Sequence, residues 1–183
     1  MARDNHAAGM VKSIFVSLAL CFPAYLQGAQ LFLVHFEYAG PGPQGSYLLA
    51  TGKDGLVPLG PIGDGKKLPS VKADGIVEAL EKAYPGFAGW ITAAEISVDT
   101  EKLTASGNVQ VFGQVAKAGE QPAALLAESM EAAAPTAFGA VTRIQVIRKQ
   151  KRLLYNLKNQ AHAATKLEPG DIVFVPMKQV FGR

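Results

Sequence analysis

Apolar and polar positions alternate most strictly over residues 109–116. Val109, Val111, Gly113 and Val115 share one face of an extended segment, and Gln110, Phe112, Gln114 and Ala116 the other, which is the two-residue period of a half-buried strand. Lys117-Ala118-Gly119 predicts a tight turn, with Gly119 free to take the positive φ that such a reversal demands, followed by a short return strand. Pro122 fixes φ ahead of an alanine-rich run in which Leu125, Leu126, Met130 and Ala133 recur at helical spacing until Pro135 ends it. Further strands are predicted at Val141 to Ile147, at Arg152 to Leu157 and at Ile172 to Val175. A strand pair, a helix and then more strands describe one small mixed domain over residues 107–178, its sheet wrapped on the Leu125 to Ala133 helix.

The preceding stretch repeats the logic less strongly. Phe32, Val34, Phe36 and Tyr38 alternate with Leu33, His35 and Glu37 as a first strand, which the Gly- and Pro-rich residues 39–46 bring to an end. Lys53-Asp54-Gly55 suits a turn, and Leu56 to Gly63 a short strand closed by Gly and Pro. Asp74 is predicted to cap a helix carrying Ile76, Val77, Leu80, Ala83 and Tyr84 on one face, Pro85-Gly86 to stop it, and Ala94 to Val98 to form the next strand. Thr104, Ser106, Gly107 and Asn108 then predict a short polar connection over Leu103 to Asn108, dividing the chain into residues 30–106 and 107–178. The fold class expected is α+β.

Residues 1–29 break this pattern. Lys12 precedes the apolar run Ile14 to Phe22, which is far shorter than the ~20 residues of a spanning helix and suits a cleavable secretory signal ending near Gly28 or Ala29. Cys21 offers the alternative of a lipoprotein, although Leu20 is large where a small residue is expected before an acylated Cys. With 49% hydrophobic and 18% charged residues in 183, the chain is globular by composition. The formal charge of +3 becomes +2 once Arg3, Asp4 and Lys12 leave with the signal, too little to imply nucleic acid.

No enzyme signature stands out: Gly-x-Ser-x-Gly, a phosphate loop and His-Glu-x-x-His are all missing from the sequence, and no metal or other cofactor is expected. His35 lacks a Cys, His or acidic cluster beside it and reads as structural or solvated. The one concentrated feature is Arg143, Arg148, Lys149, Lys151 and Arg152, five of eighteen cationic residues within ten positions. Such a hairpin tip either keeps a sheet edge from pairing or contacts an anionic polymer, a neighbouring subunit or anionic lipid.

Four motifs carry a resemblance, three of them to one domain. Val109-x-Val-x-Gly113-x-Val-x-Lys117-x-Gly119 resembles the opening hairpin of the soluble-ligand-binding β-grasp domain. Ile144-Gln145-Val146-Ile147-Arg148 is similar to that domain's central strand, and Leu167-Glu168-Pro169-Gly170-Asp171-Ile172-Val173-Phe174-Val175-Pro176 to its closing strand. Asp54-Gly55-Leu56-Val57-Pro58-Leu59-Gly60 resembles a signature of the amino-terminal domain of polysaccharide export proteins of the outer-membrane auxiliary type, a family in which the two domains occur in this order. The resemblance implies an exported, non-catalytic periplasmic protein that helps move exopolysaccharide or capsule as a ring of identical subunits. It also implies an inner-membrane synthesis or chain-length partner and contact with the outer membrane. The alternative is a periplasmic module that holds a glycan or small ligand without transporting it. The family's Tyr-x-Leu-Gly-Pro-Gly-Asp opening is not recognisable before Lys53, which favours an accessory ring or a short paralogue over a complete translocon.

Overall fold

The computed structural model describes residues 30–37, 43, 45–62 and 66–178; the apolar segment read as a signal, with Lys12 and Cys21, lies outside the described residues. The chain is mixed α+β. β1 (Leu31–Phe36) pairs antiparallel with β2 (Gly45–Ala50). A two-residue ladder of β3 (Val57–Pro58) and β4 (Ser70–Val71) and the helix α1 (Ile76–Ala83) follow, and β5 (Ile91–Ile96) then returns to the other side of β1. The alternation along β1 sends Phe32, Val34 and Phe36 into a core with Tyr47, Leu49, Ile91 and the α1 residues Ile76 and Leu80. Phe36 meets Tyr47, Tyr84 and Phe87 edge-on, at centroid distances of 5.9, 6.4 and 5.6 Å.

The helix α2 (Thr100–Ser106) leads into the second sheet, built from β6 (Asn108–Gly113), β7 (Gly119–Pro122), β8 (Ile144–Arg148), β9 (Lys151–Tyr155) and β10 (Ile172–Val175). The helix α3 (Leu126–Ala133) intervenes between β7 and β8, and the short α4 (Gln160–Ala163) between β9 and β10. The strand order is β7-β6-β10-β8-β9, with β6 and β10 parallel at its centre and every other neighbouring pair antiparallel. Period-two alternation again assigns the faces. Val109, Val111, Val146, Val173 and Val175 bury against Leu126, Met130 and Ala133 of α3. The opposite face sends Ile147, Ile172 and Phe174 onto Leu31, Leu48 and Ala50 of the first sheet, with Phe112 packed alongside.

The layers therefore run helix, sheet, sheet, helix, with a third apolar cluster at the seam between the sheets. Burying each large side chain there contributes about 1.5–3 kcal/mol relative to leaving it in water, so the seam outweighs any single polar contact across it. Gln145, 1% exposed, is the polar member of that seam.

Several expected elements differ from those observed. The polar connection over Leu103 to Asn108 is instead the end of α2 and the start of β6. Asp99 caps this helix by accepting from the Lys102 backbone N–H at 2.9 Å, Gly107 closes it at φ 73°, and buried Leu103 anchors it. Asp74 caps nothing with its side chain: it sits in a 3-10 turn, Ala73–Gly75, and Gly75 holds the N-cap position of α1. The strand expected at Ala94 to Val98 begins at Ile91, because pairing with β1 places Ile91 opposite Phe36. The first residues of the strand expected from Val141 form a turn, in which Arg143 N–H bonds to the Ala140 carbonyl at 2.9 Å. The long strand of residues 109–116 stops at Gly113, whose φ of 98° and proximity to the Val175 carbonyl oxygen leave no room for a Cβ.

Candidate functional site

The β8–β9 hairpin divides the cationic cluster between the two faces of its sheet. A two-residue turn, Lys149-Gln150, sets Arg148 opposite Lys151 and Ile147 opposite Arg152. Cross-strand partners share a face, so Arg148 and Arg152 point to opposite sides. Arg148 turns to the closing motif: Nε donates to Asp171 Oδ1 at 2.9 Å, Nη2 to Asp171 Oδ2 at 2.6 Å, and Nη1 to Glu168 Oε1 at 3.0 Å. The Asp171 side chain is only 2% exposed, and its carboxylate raises the pKa of the Arg148 guanidinium. Lys149 Nζ lies 3.2 Å from Glu168 Oε2 but is 82% exposed, a contact of little energetic weight. Lys151 has no side-chain partner among the described residues.

Arg152 faces the first sheet. Its Nε donates to Gln145 Oε1 at 3.1 Å, and its guanidinium carbon lies 5.9 Å from the centroid of the Tyr47 ring. Its terminal nitrogens have no partner among the described residues, nor does the side chain of Arg143. Burial, the largest influence, pulls the Arg152 guanidinium below its ordinary pKa; the neighbouring Arg143 charge acts the same way, and Tyr47 acts against both. Arg152 stays protonated nonetheless, since a guanidinium does not titrate in the working range.

Both arginines line a cleft of about 390 Å3 between the sheets, walled on one side by Tyr47, Pro61 and Ile62 and on the other by Thr142, Leu154, Tyr155, Asn156 and His162. That volume lies within the ~300–1,000 Å3 of ordinary small-ligand sites. His162 is held edge-on to Tyr155 at a centroid distance of 5.6 Å, and its Nδ1 accepts from Asn156 N–H at 3.0 Å. Among the described residues, no acidic side chain lines the cleft. A second cavity of about 350 Å3 contains Asp99, Lys102 and Glu120, but there the charges answer one another. Lys102 Nζ lies 2.8 Å from Glu120 Oε1, and Asp99 caps α2. Of these two, counting the described residues, the first cleft presents charge of one sign. Among the described residues there is no group of three or more His, Cys, Asp or Glu side chains able to hold a metal ion, and no helix long and apolar enough to cross a membrane.

The remaining motif residues fall at turns and strand ends. Asp54 Oδ1 accepts from Leu56 N–H at 3.1 Å, and Gly55 N–H bonds to Gly52 O at 3.0 Å; Pro58 lies in β3, Gly60 opens a 3-10 turn and Gly119 opens β7. Pro169 and Gly170 form the turn before β10, where Gly170 N–H bonds to Asn108 O at 2.8 Å, and Pro176 accepts from Ala140 N–H at 2.7 Å. Of the five cations, the structure brings Arg143 and Arg152 together and sets Arg148, Lys149 and Lys151 apart from them. The Tyr47, Asn156 and His162 lining was not singled out by sequence. The period-two rule applied across a two-residue turn was the available signal for the division of the cations.

No protein-family model matches the chain, and no curated protein matches it.

Proposed function

We propose that the chain is a periplasmic, non-catalytic component of exopolysaccharide or capsule export, with an export-type α+β domain over residues 30–106 and a soluble-ligand-binding β-grasp domain over residues 107–178. The observation that carries this is the meeting of the three motifs in one sheet of order β7-β6-β10-β8-β9, with parallel central strands and one helix across a face. Arg148, which ends the central motif, grips Asp171 of the closing motif, and Gly170 beside it bonds to Asn108 at the start of the opening hairpin. Residues that read as separate signatures are thus parts of one joint.

The mechanism proposed is passive. The chain acts as a scaffold or conduit subunit, with no covalent step and with weak, repeated contacts to the polymer. Measurement of its mass in solution tests this: a closed symmetric oligomer supports the conduit, and a strict monomer overturns it. The one-signed cleft favours a second reading, a periplasmic module that binds an acidic glycan without transporting it.

A further inference from the structure

We infer that the cleft between the two sheets binds the carboxylate end of an acidic sugar residue, with Arg143 and Arg152 as the anion contacts and Tyr47, Tyr155 and Leu154 flanking the sugar ring. This rests on the glycan-handling reading above, and it narrows that reading to a place and a ligand class.

Three observations converge on it. First, the two guanidinium groups line one cavity without a carboxylate partner among the described residues, whereas Arg148, four residues from Arg152, is fully engaged by Asp171 and Glu168. Like charges brought together without a counter-charge repel, and an arriving anion removes that cost. Second, Arg152 is held in place from behind. Gln145 takes its Nε and Tyr47 lies beside its guanidinium, so the terminal nitrogens are presented with little rotamer freedom left to lose. A guanidinium fixed by its Nε and presenting its outer edge matches a planar carboxylate.

Third, the walls exceed what an inorganic anion requires. Pro61, Ile62 and Leu154 offer apolar surface and Thr142 and Asn156 offer hydroxyl and amide groups, the mixture that the C–H faces and hydroxyls of a sugar ring would meet. The cleft is open to solvent and is lined from both sheets, so a sugar within a longer chain could enter it without the polymer having an end there.

The test uses the full chain with oligogalacturonate as the probe, followed by calorimetry at low salt, with a neutral glucose oligomer and inorganic phosphate as comparators. Arg143→Gln is the informative variant, because the Arg143 side chain has no partner to lose among the described residues. Lys151→Gln removes an equal charge from the other face of the same hairpin. Arg143→Gln is expected to weaken oligogalacturonate binding about tenfold, the worth of one charge-assisted hydrogen bond, and not to lower the thermal midpoint, since it also relieves the repulsion from Arg152. Lys151→Gln is expected to change binding less than about twofold, as for an exposed charge. Equal losses in the two variants, phosphate binding as tight as oligogalacturonate, or no oligogalacturonate binding would each overturn the inference. Failure here with a closed oligomer in solution leaves the export reading standing; binding by a strict monomer does the reverse.

Discussion

Gln145 supplies to Leu48 the hydrogen bond that a neighbouring strand would. Its Oε1 accepts from Leu48 N–H at 2.8 Å and its Nε2 donates to the Ser46 carbonyl at 3.2 Å. These backbone groups flank Tyr47 on β2, an end strand that among the described residues pairs with β1 alone. One amide serving the acceptor before a residue and the donor after it reproduces what a parallel strand's residue does. The side chain thereby closes part of an open sheet edge, joins the two sheets and holds Arg152 at the cleft.

Gln145→Leu keeps a similar volume and removes both backbone bonds together with the bond from Arg152 Nε. Leu48 is fully buried, so its N–H is left without a partner, at a cost of about 1–3 kcal/mol. Urea unfolding of this variant is expected to show a lower midpoint with an unchanged slope. An unchanged midpoint would mean that water replaces the amide at no cost, and that the seam is held by its apolar residues alone.

The turn that separates Arg148 from Arg152 carries strain. Lys149 and Gln150 sit at φ 49° and 66°, the left-handed region at both central positions of a two-residue hairpin. That conformation costs a non-glycine residue about 1–2 kcal/mol. Gln150→Gly is therefore expected to raise stability by about 0.5–1 kcal/mol, after allowance for the greater freedom of glycine in the unfolded chain. Thermal or urea unfolding would read this gain. A lower midpoint would show that Gln150 makes a compensating contact in solution.

Much of the second sheet was legible because its inner strands β6, β10 and β8 each bury one face against a single helix. The alternation of Val109 and Val111 and the apolar run at Ile172 to Val175 leave few other arrangements. The helix α2 was not legible, because seven residues with one buried leucine carry no helical period, and its evidence lies only in the caps Asp99 and Gly107. The cleft was still less so. Gln145 and Leu48 are 97 residues apart, and a glutamine alternating with isoleucine and valine reads like a solvent-facing position in any half-buried strand. Its burial follows from the stacking of two sheets, which no local pattern encodes. The division of the cationic cluster follows from an exact two-residue turn, and shifting that turn by one residue would exchange the two faces.

The Arg148–Asp171 pair sets the last expectation. Asp171 accepts from Arg148 through both carboxylate oxygens and also from the Glu168 backbone N–H at 2.8 Å, so its carboxylate organises the turn that launches β10. Removing one partner of a buried pair costs about 3–5 kcal/mol, most of it from the charge left behind. Arg148 is 20% exposed and keeps Glu168, so Asp171→Ala belongs at the lower end of that range. With Asp171 already gone, Arg148→Ala breaks only the half-exposed Glu168 pair and the bond to the Lys166 carbonyl, so the added loss in the double variant is expected to be clearly smaller than the loss from Arg148→Ala in the parent chain. A double-mutant cycle by urea unfolding reads the coupling directly. Additive losses would show that the two residues stabilise the sheet independently, and would remove the joint on which the proposed domain reading stands.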